Sequence, residues 1–335
     1  MTPTPRARRR RLLRALAIGS AATLLACAAA RGGGRDKAVE LWAFTAPWDS
    51  LSDASLAAHS SRIDVAVTGW IALDTISQQP RILYGDSVVR AARPRHLALV
   101  TSWFRDRFHP ASVIALGSDP SRLASTAGAT ARLAADRGYR GLVLDFEGHT
   151  PADLPVLVAV ARAFTDSAHA HGLSQVAMAI PATDTAGYPA AQLLASADAL
   201  IVMLYDQHWA ESQPGPVADP GWARTWLSVR AREVDARHLV AALPIYGYAW
   251  GTGKSAETVG YHAARTMAAA AGQRLARDPV SGWLHARAAS GAEVWVSDAV
   301  VVGRLARDAR AAGVSRIALW RLGLEDPAIW AALSR

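Results

Sequence analysis

Residues Gly138-Tyr139-Arg140-Gly141-Leu142-Val143-Leu144-Asp145-Phe146-Glu147-Gly148 decide how this chain is read. Gly141 to Leu144 is small or apolar without alternation, the pattern of a parallel strand covered on both faces. Asp145 and Glu147 follow at its end. Residues i and i+2 of a strand point to one side, so two carboxylates are aimed into one space at the end of an apolar element. A lone D-x-E is commonly a strand end with solvated acids. Burying unpaired charge is costly, however, and the rest of the chain decides between the two readings.

Outward from this strand, apolar runs alternate with helical stretches. Strands are expected near Glu40–Thr45, Ile63–Trp70, His96–Trp103, Gly141–Glu147, Ser174–Ile180, Ala199–Tyr205, His238–Tyr246 and Ser315–Trp320. Ser121–Arg137, Pro151–His171 and Val300–Gly313 have the period of amphipathic helices. Asp119-Pro120 opens the first as a capping acid and a first-turn proline. Gly138, Gly172 and Gly313 fall where each helix needs a left-handed residue to stop. Eight such βα units in 335 residues predict an α/β chain folded as a (β/α)8 TIM barrel. A doubly wound sheet would need a phosphate loop, and no G-x-G-x-x-G follows the first strand. The stretch 247–293, rich in glycine and carrying Tyr261 and Trp283, is too long for a βα loop. It reads as an insertion after strand seven that ends in a small hairpin at Glu293-Val294-Trp295-Val296. No internal repeat or composition break divides residues 38–335.

Composition narrows the function. The apolar fraction is 51%, ample for a core, and a single cysteine excludes an internal disulfide framework. No Cys/His cluster has metal-ligand spacing, and His169-x-His171 reads as a helix end at the surface. The net charge of +8 is concentrated: residues 1–26 hold six arginines and no acid, so the remainder carries +2. A nucleic-acid surface is therefore not implied. Arg6 to Arg14 followed by apolar Leu16 to Ala26 reads as a signal peptide, short for a bilayer span, with an ordinary secretory signal cleaved after an alanine or an uncleaved anchor as the alternatives to a lipoprotein signal. Its end, Leu24-Leu25-Ala26-Cys27, resembles the bacterial lipoprotein signal, in which the cysteine is lipidated. Arg9-Arg10-Arg11-Leu12-Leu13 also resembles a twin-arginine export signal. Residues 27–37, with Gly32-Gly33-Gly34, read as a flexible tether. The expectation is an exported monomer of the cell envelope, held to a bacterial membrane by lipid at Cys27.

Barrel chemistry sits at the C-terminal ends of strands, and those ends are aromatic here: Trp42, Phe44 and Trp48; Trp70; Trp103-Phe104; Met203, Tyr205 and Asp206 with Trp209; Tyr246, Tyr248 and Trp250; Trp320. The chain has twelve tryptophans against five phenylalanines. Sugar rings stack their C–H faces on indoles, and carboxylates accept from their hydroxyls. An aromatic, acidic cleft suggests carbohydrate.

These motifs resemble family 18 glycoside hydrolases, the chitinase-type barrels. The family's D-x-x-D-x-D-x-E falls on Arg140, Val143, Asp145 and Glu147, with only the last two acids kept. M-x-Y-D falls on Met203, Tyr205 and Asp206, and P-x-Y-G on Pro244, Tyr246 and Gly247. The final-strand tryptophan is Trp320. The resemblance spans residues 39–330, in the flavour of cell-wall and spore-cortex members. It implies a retaining, substrate-assisted glycosidase for β-linked N-acetylhexosamine glycans: chitin-type chains, peptidoglycan or a related polysaccharide. Glu147 would be the general acid, Asp145 would orient the substrate's 2-acetamido group and Tyr205 would donate to its oxygen. Asp206, Trp320, Tyr246, Trp42, Trp70, Trp103 and Met203 would line the sugar site. No metal or organic cofactor is expected. Arg140 is read as structural. Val143, where the family has an acid, implies slower turnover or a shifted pH profile. Two rivals stand beside this: a sugar-binding barrel that has lost activity, and a two-carboxylate hydrolase using Asp206 with Glu147.

Overall fold

The computed structural model describes residues 39–84, 94–251 and 255–333. The expected signal, tether and Cys27 lie outside them. Eight parallel strands form the centre: β1 (Glu40–Phe44), β2 (Val65–Leu73), β3 (Arg95–Thr101), β4 (Gly141–Asp145), β5 (Gln175–Pro181), β6 (Ala199–Met203), β7 (Leu239–Pro244) and β8 (Arg316–Trp320). Each pairs with the next, and β1 pairs with β8 to close the ring. The fold is a (β/α)8 barrel. Helices Pro120–Asp136, Leu154–Ala170, Pro220–Glu233 and Ala299–Ala311 belong to its outer layer. The cap of the first is the one read from sequence, with Asp119 accepting from the Arg122 N–H at 3.0 Å. Gly138, Gly172 and Gly313 have φ of 82°, 77° and 85°.

The strands are buried on both faces, for two reasons. Their outward residues pack on the helices in one large core. Their inward residues fill the barrel in a second, with Trp42, Val65, Leu97, Val143, Ala177, Ala199, Ala242 and Ala318 among them. Several strands present alanine inward, and the indole of Trp42 occupies the space they leave. This corrects the expectation for Trp42: it is 0% exposed and belongs to the barrel filling, not to a sugar site. A buried tryptophan removes about 150–250 Å² from water, worth roughly 4–6 kcal/mol, which opposes exposing it to a ligand.

β2 does not end at Trp70 but runs on to Leu73. Its register against β3 slips by one residue between Val67 and Gly69. This bulge re-aims the strand: Val67 and Trp70, three apart, both face the interior. Gly69 is required there, because a Cβ would meet the Tyr139 hydroxyl at 2.5 Å and the Ala98 methyl at 3.2 Å.

The insertion after β7 is larger than the hairpin expected. Strands Gly247–Trp250, Glu257–Val259, Ala276–Arg277, Leu284–Arg287 and Glu293–Val296 make a five-stranded antiparallel sheet, and helix Tyr261–Ala270 packs on it. Gly247 touches its neighbour strand so closely that a Cβ would lie 1.9 Å from the Trp295 carbonyl oxygen. Among the described residues no helix is long and apolar enough to cross a membrane.

Candidate active site

A cleft of about 310 Å³ opens at the C-terminal ends of the barrel strands. Phe44, Trp48, Trp70, Trp103, Phe108 and Trp320 supply aromatic walls, and Asp145, Glu147, Tyr205 and Asp206 supply polar groups. Trp320, the last residue of β8, is braced from three sides. Tyr205 stacks on it at 6.2 Å and 17°, Phe44 meets it edge-on at 5.3 Å, and Trp70 lies at 6.3 Å. Trp103 is not on β3, which stops at Thr101. It sits on a two-residue hairpin strand, Trp103–Phe104 against Arg107–Phe108, and meets Phe108 at 5.0 Å.

β4 ends at Asp145, yet Asp145 and Glu147 both reach the cleft, as their spacing requires. Thr101 is Asp145's register partner on β3. Its hydroxyl donates to Asp145 Oδ2 at 3.2 Å while accepting from the Trp103 N–H at 2.9 Å. Burial raises the Asp145 carboxyl to about 6, against the hydrogen bonds from Thr101 and Glu147, which favour its charged form. Glu147 is pushed well above the usual carboxylate range, first by burial, then by the Asp145 charge, by its hydrogen bond to Asp145, and by the Asp206 charge. Burial thus raises both carboxyls, and the Asp145 charge raises Glu147 further.

Asp206 takes a left-handed backbone, φ 60°, which a short polar side chain tolerates. Its Oδ1 accepts from the Tyr246 hydroxyl at 2.5 Å and the Tyr248 hydroxyl at 3.1 Å, which leaves Oδ2 for a ligand. Although the residue is open to the cleft, crowding by the surrounding walls raises its carboxyl, opposed by the two phenols. Tyr246 is therefore placed behind Asp206, 3% exposed and outside the cleft lining, and not against a sugar. Met203 lines the cleft wall, and Trp209 and Trp250 stand away from it. Burial, then the nearby Glu147, Asp145 and Asp206 charges, hold the Tyr205 phenol protonated.

Val143 lies two residues below Asp145 and is fully buried, with Leu99 and Ala177 as register neighbours. A carboxyl there would be desolvated, would hold a proton and would share it with Asp145. Val143→Asp is expected to move the alkaline limb of the pH–rate profile upward, with a lower Tm. Superimposable wild-type and variant profiles would refute this account of the position.

The sequence reading did not pick out Thr101, Phe108, Leu99, Ala179 or Ile201 as site residues. Thr101 had a signal, a hydroxyl on a strand end beside the acids. The apolar four had none, because the same residue types fill the core.

Among the described residues no group of three or more His, Cys, Asp and Glu is placed to hold a metal ion. Fold and site together define a closed (β/α)8 barrel with a carboxylate pair on the floor of an aromatic cleft. No family model matches the chain. Among curated proteins, YdhD of Bacillus subtilis (strain 168), provisionally named a sporulation-specific glycosylase, is 32% identical over 124 residues, 35% of this chain and 29% of that protein. YvbX of the same organism, named an uncharacterized glycosylase, is 27% identical over 128 residues, 35% of this chain and 36% of that protein. The matches therefore span about a third of each relative's length. Among solved structures, a class V chitinase from Pseudomonas fluorescens Pf-5 superposes with a TM-score of 0.80 at 22% identity, over 88% of this chain and 98% of that one. The spore cortex-lytic enzyme SleL of Bacillus cereus superposes at 0.76 and 17% identity, over 88% and 74%. At these identities the likeness establishes that the chain has the fold of the chitinase barrels.

Proposed function

We propose that this chain is a glycoside hydrolase for β-linked N-acetylhexosamine glycans, of chitin, peptidoglycan or a related polysaccharide, acting with retention by substrate assistance. The observation that carries the proposal is the placement of Glu147 beside Asp145, with Tyr205, in an aromatic cleft at the strand ends, where burial and the Asp145 charge push the Glu147 carboxyl upward. A carboxyl that keeps its proton near neutral pH can give it to a glycosidic oxygen and later take one from water. Acids in hydrogen-bond contact cannot flank a sugar ring, which needs separations of about 5–5.5 Å or 6.5–9.5 Å. Asp145 is thus not the nucleophile, and in this proposal the substrate supplies it: its 2-acetamido oxygen attacks the anomeric carbon to give an oxazolinium ion, with Asp206 as the rival nucleophile that a substrate lacking the acetamide tests. As Glu147 releases its proton, Asp145 is free to accept from the acetamido N–H and to balance its developing positive charge. Tyr205 donates to the acetamido oxygen and holds it for attack. Trp320 forms the floor on which the ring distorts, and Asp206 Oδ2 accepts from a sugar hydroxyl. The names of YdhD and SleL and the family 18 motifs support the same class.

The test is release of reducing ends from an N-acetylglucosamine tetramer and from a glucose tetramer of the same linkage, with the product anomer read by NMR. Cleavage of the first only, with retention, is expected. Equal cleavage of both would sink substrate assistance, since the glucose chain has no acetamide. Val143 in place of an acid favours a second reading, a carbohydrate-binding barrel without turnover; tetramer binding with no released reducing ends would establish it.

Export and lipid attachment at Cys27 belong to the same proposal, supported by the arginine-rich signal and the position of the chain's single cysteine. Wild type is expected in the detergent phase on temperature-induced phase partition and Cys27→Ser in the aqueous phase. An aqueous wild type would argue against the anchor.

A further inference from the structure

The turn that carries Glu147 out of β4 is closed from behind by one side chain. The Tyr188 hydroxyl donates to the Phe146 carbonyl at 2.9 Å and accepts from the His149 N–H at 3.1 Å. One phenol oxygen thus holds both flanks of Glu147. Gly148, at φ 80°, makes the turn between them. The Phe146 ring is fully buried outside the barrel against Phe164, 5.9 Å away edge-on, which leaves Glu147 facing the cleft. Tyr188 is 1% exposed and makes no part of the cleft wall.

Tyr188 is itself fixed. Its carbonyl accepts from Arg230 Nη1 at 2.8 Å. The same guanidinium, fully buried, donates to the carbonyls of Pro181, Ala182 and Asp184 at 2.6, 3.1 and 2.8 Å. Glu233 pairs with it at 3.3 Å and accepts from the Ala190 N–H at 2.6 Å. The loop from β5 to Ala190 is therefore wired to helix Pro220–Glu233 by charge-assisted bonds. It reaches the turn beside the carboxylates through the Tyr188 hydroxyl.

We propose that Tyr188, locked by Arg230 and Glu233, is a positioning residue that fixes the backbone on both sides of Glu147 and so holds its carboxyl beside Asp145 in the cleft. The inference rests on Glu147 being the acid of the proposed hydrolase. A carboxyl displaced by about 1 Å loses its partner and admits water, and such misplacement costs on the order of 10²-fold in rate. The ionisable groups facing Glu147 are Asp145, Asp206 and Tyr205 on the cleft side and the Tyr188 phenol from behind the turn, where Asp184 also acts on that phenol. Behind the turn, the His149 ring is buried, and burial holds it neutral despite Asp153 Oδ2 at 3.9 Å.

The test is Tyr188→Phe in the full chain, which removes one oxygen and keeps the ring. The side-chain carboxyls are observed by 13C NMR across pH, with kcat and KM measured on the N-acetylglucosamine tetramer. Leu227→Ala, on the inner face of the helix that carries Arg230, serves as a variant that lowers stability without touching the turn. Tyr188→Phe is expected to move the Glu147 midpoint toward the ordinary carboxylate range by about one pH unit. It should also cut kcat by roughly 10–100-fold with KM within twofold, while Leu227→Ala leaves the titration unchanged. Unchanged Glu147 titration in Tyr188→Phe, or the same change in Leu227→Ala, overturns the inference. Because NMR reads the carboxyl without turnover, a wild type with no hydrolysis would sink the enzyme reading separately.

Discussion

Glu147→Gln is expected to lower kcat on the N-acetylglucosamine tetramer by about 10²–10⁴-fold, the range supplied by a positioned general acid, while tetramer affinity changes by only a few fold. Glutamine keeps the shape and can still donate an amide hydrogen to Asp145, but it has no proton to transfer. The same substitution makes a thermodynamic prediction. Glu147 is raised above its ordinary value of 4.5 by burial and by the Asp145 and Asp206 charges. From pH 4.5 upward the unfolded chain has released this proton and the folded one holds it. Folded protein thus binds more protons, so its stability falls as pH rises through this window up to the raised value. The substituted glutamine does not titrate and removes that fall. The variant is expected to be more thermostable than wild type at about pH 7–8, with the gap closing toward about pH 4. A thermal-shift series over pH reads this; a gap that widens as pH drops would mean that Glu147 is not held protonated.

Arg230→Met is expected to cost about 3–5 kcal/mol of stability, the usual result of breaking a buried charged network by removing one partner. The side chain is 0% exposed, and it satisfies four carbonyls and Glu233. Methionine fills much of the volume but strands those oxygens, each a buried acceptor that has lost its donor. Burial lowers the Arg230 value, and Glu233 and Asp184 offset this, so the guanidinium stays charged. At the scale of a domain this large, Tm should drop by roughly 6–12 °C. Urea unfolding measures it directly. A change below about 1 kcal/mol, within the range of an ordinary point substitution, would show that the loop at 181–190 is held by its apolar contacts alone.

The acids were legible because strand geometry is local. Asp145 and Glu147 are two apart at the end of an apolar run, so they must face one way. Trp103 and Trp320 reached the cleft from their place near strand ends, again a local property. Trp42 looked the same in sequence and proved to be barrel filling, because whether an inward tryptophan sits in the lumen or at its mouth depends on its height relative to seven other strands. Trp70 was placed correctly for an incomplete reason. An unbroken alternation from Val67 would turn it outward, and the extra residue at Thr68 turns it in.

Tyr246 shows the same limit at the site itself. Its position after a strand end marked it for the sugar, but the left-handed turn at Asp206 brings that carboxylate onto its hydroxyl instead. The insertion was visible as a long glycine-rich segment, yet its five strands pair antiparallel across gaps that no local pattern specifies.

The amino-acid sequence by itself determined the eight barrel strands, the helix stops at Gly138, Gly172 and Gly313, and the direction of the two carboxylates, since each follows from periodicity or backbone preference within a few residues. Only the tertiary structure decided that burial raises both carboxyls, that Thr101 meets Asp145, and that Tyr188 and Arg230 hold the turn from behind. The hydrogen bonds that Thr101, Tyr188 and Arg230 make there join residues 39 to 49 positions apart. Their energies depend on desolvation by strands that converge only when the barrel closes.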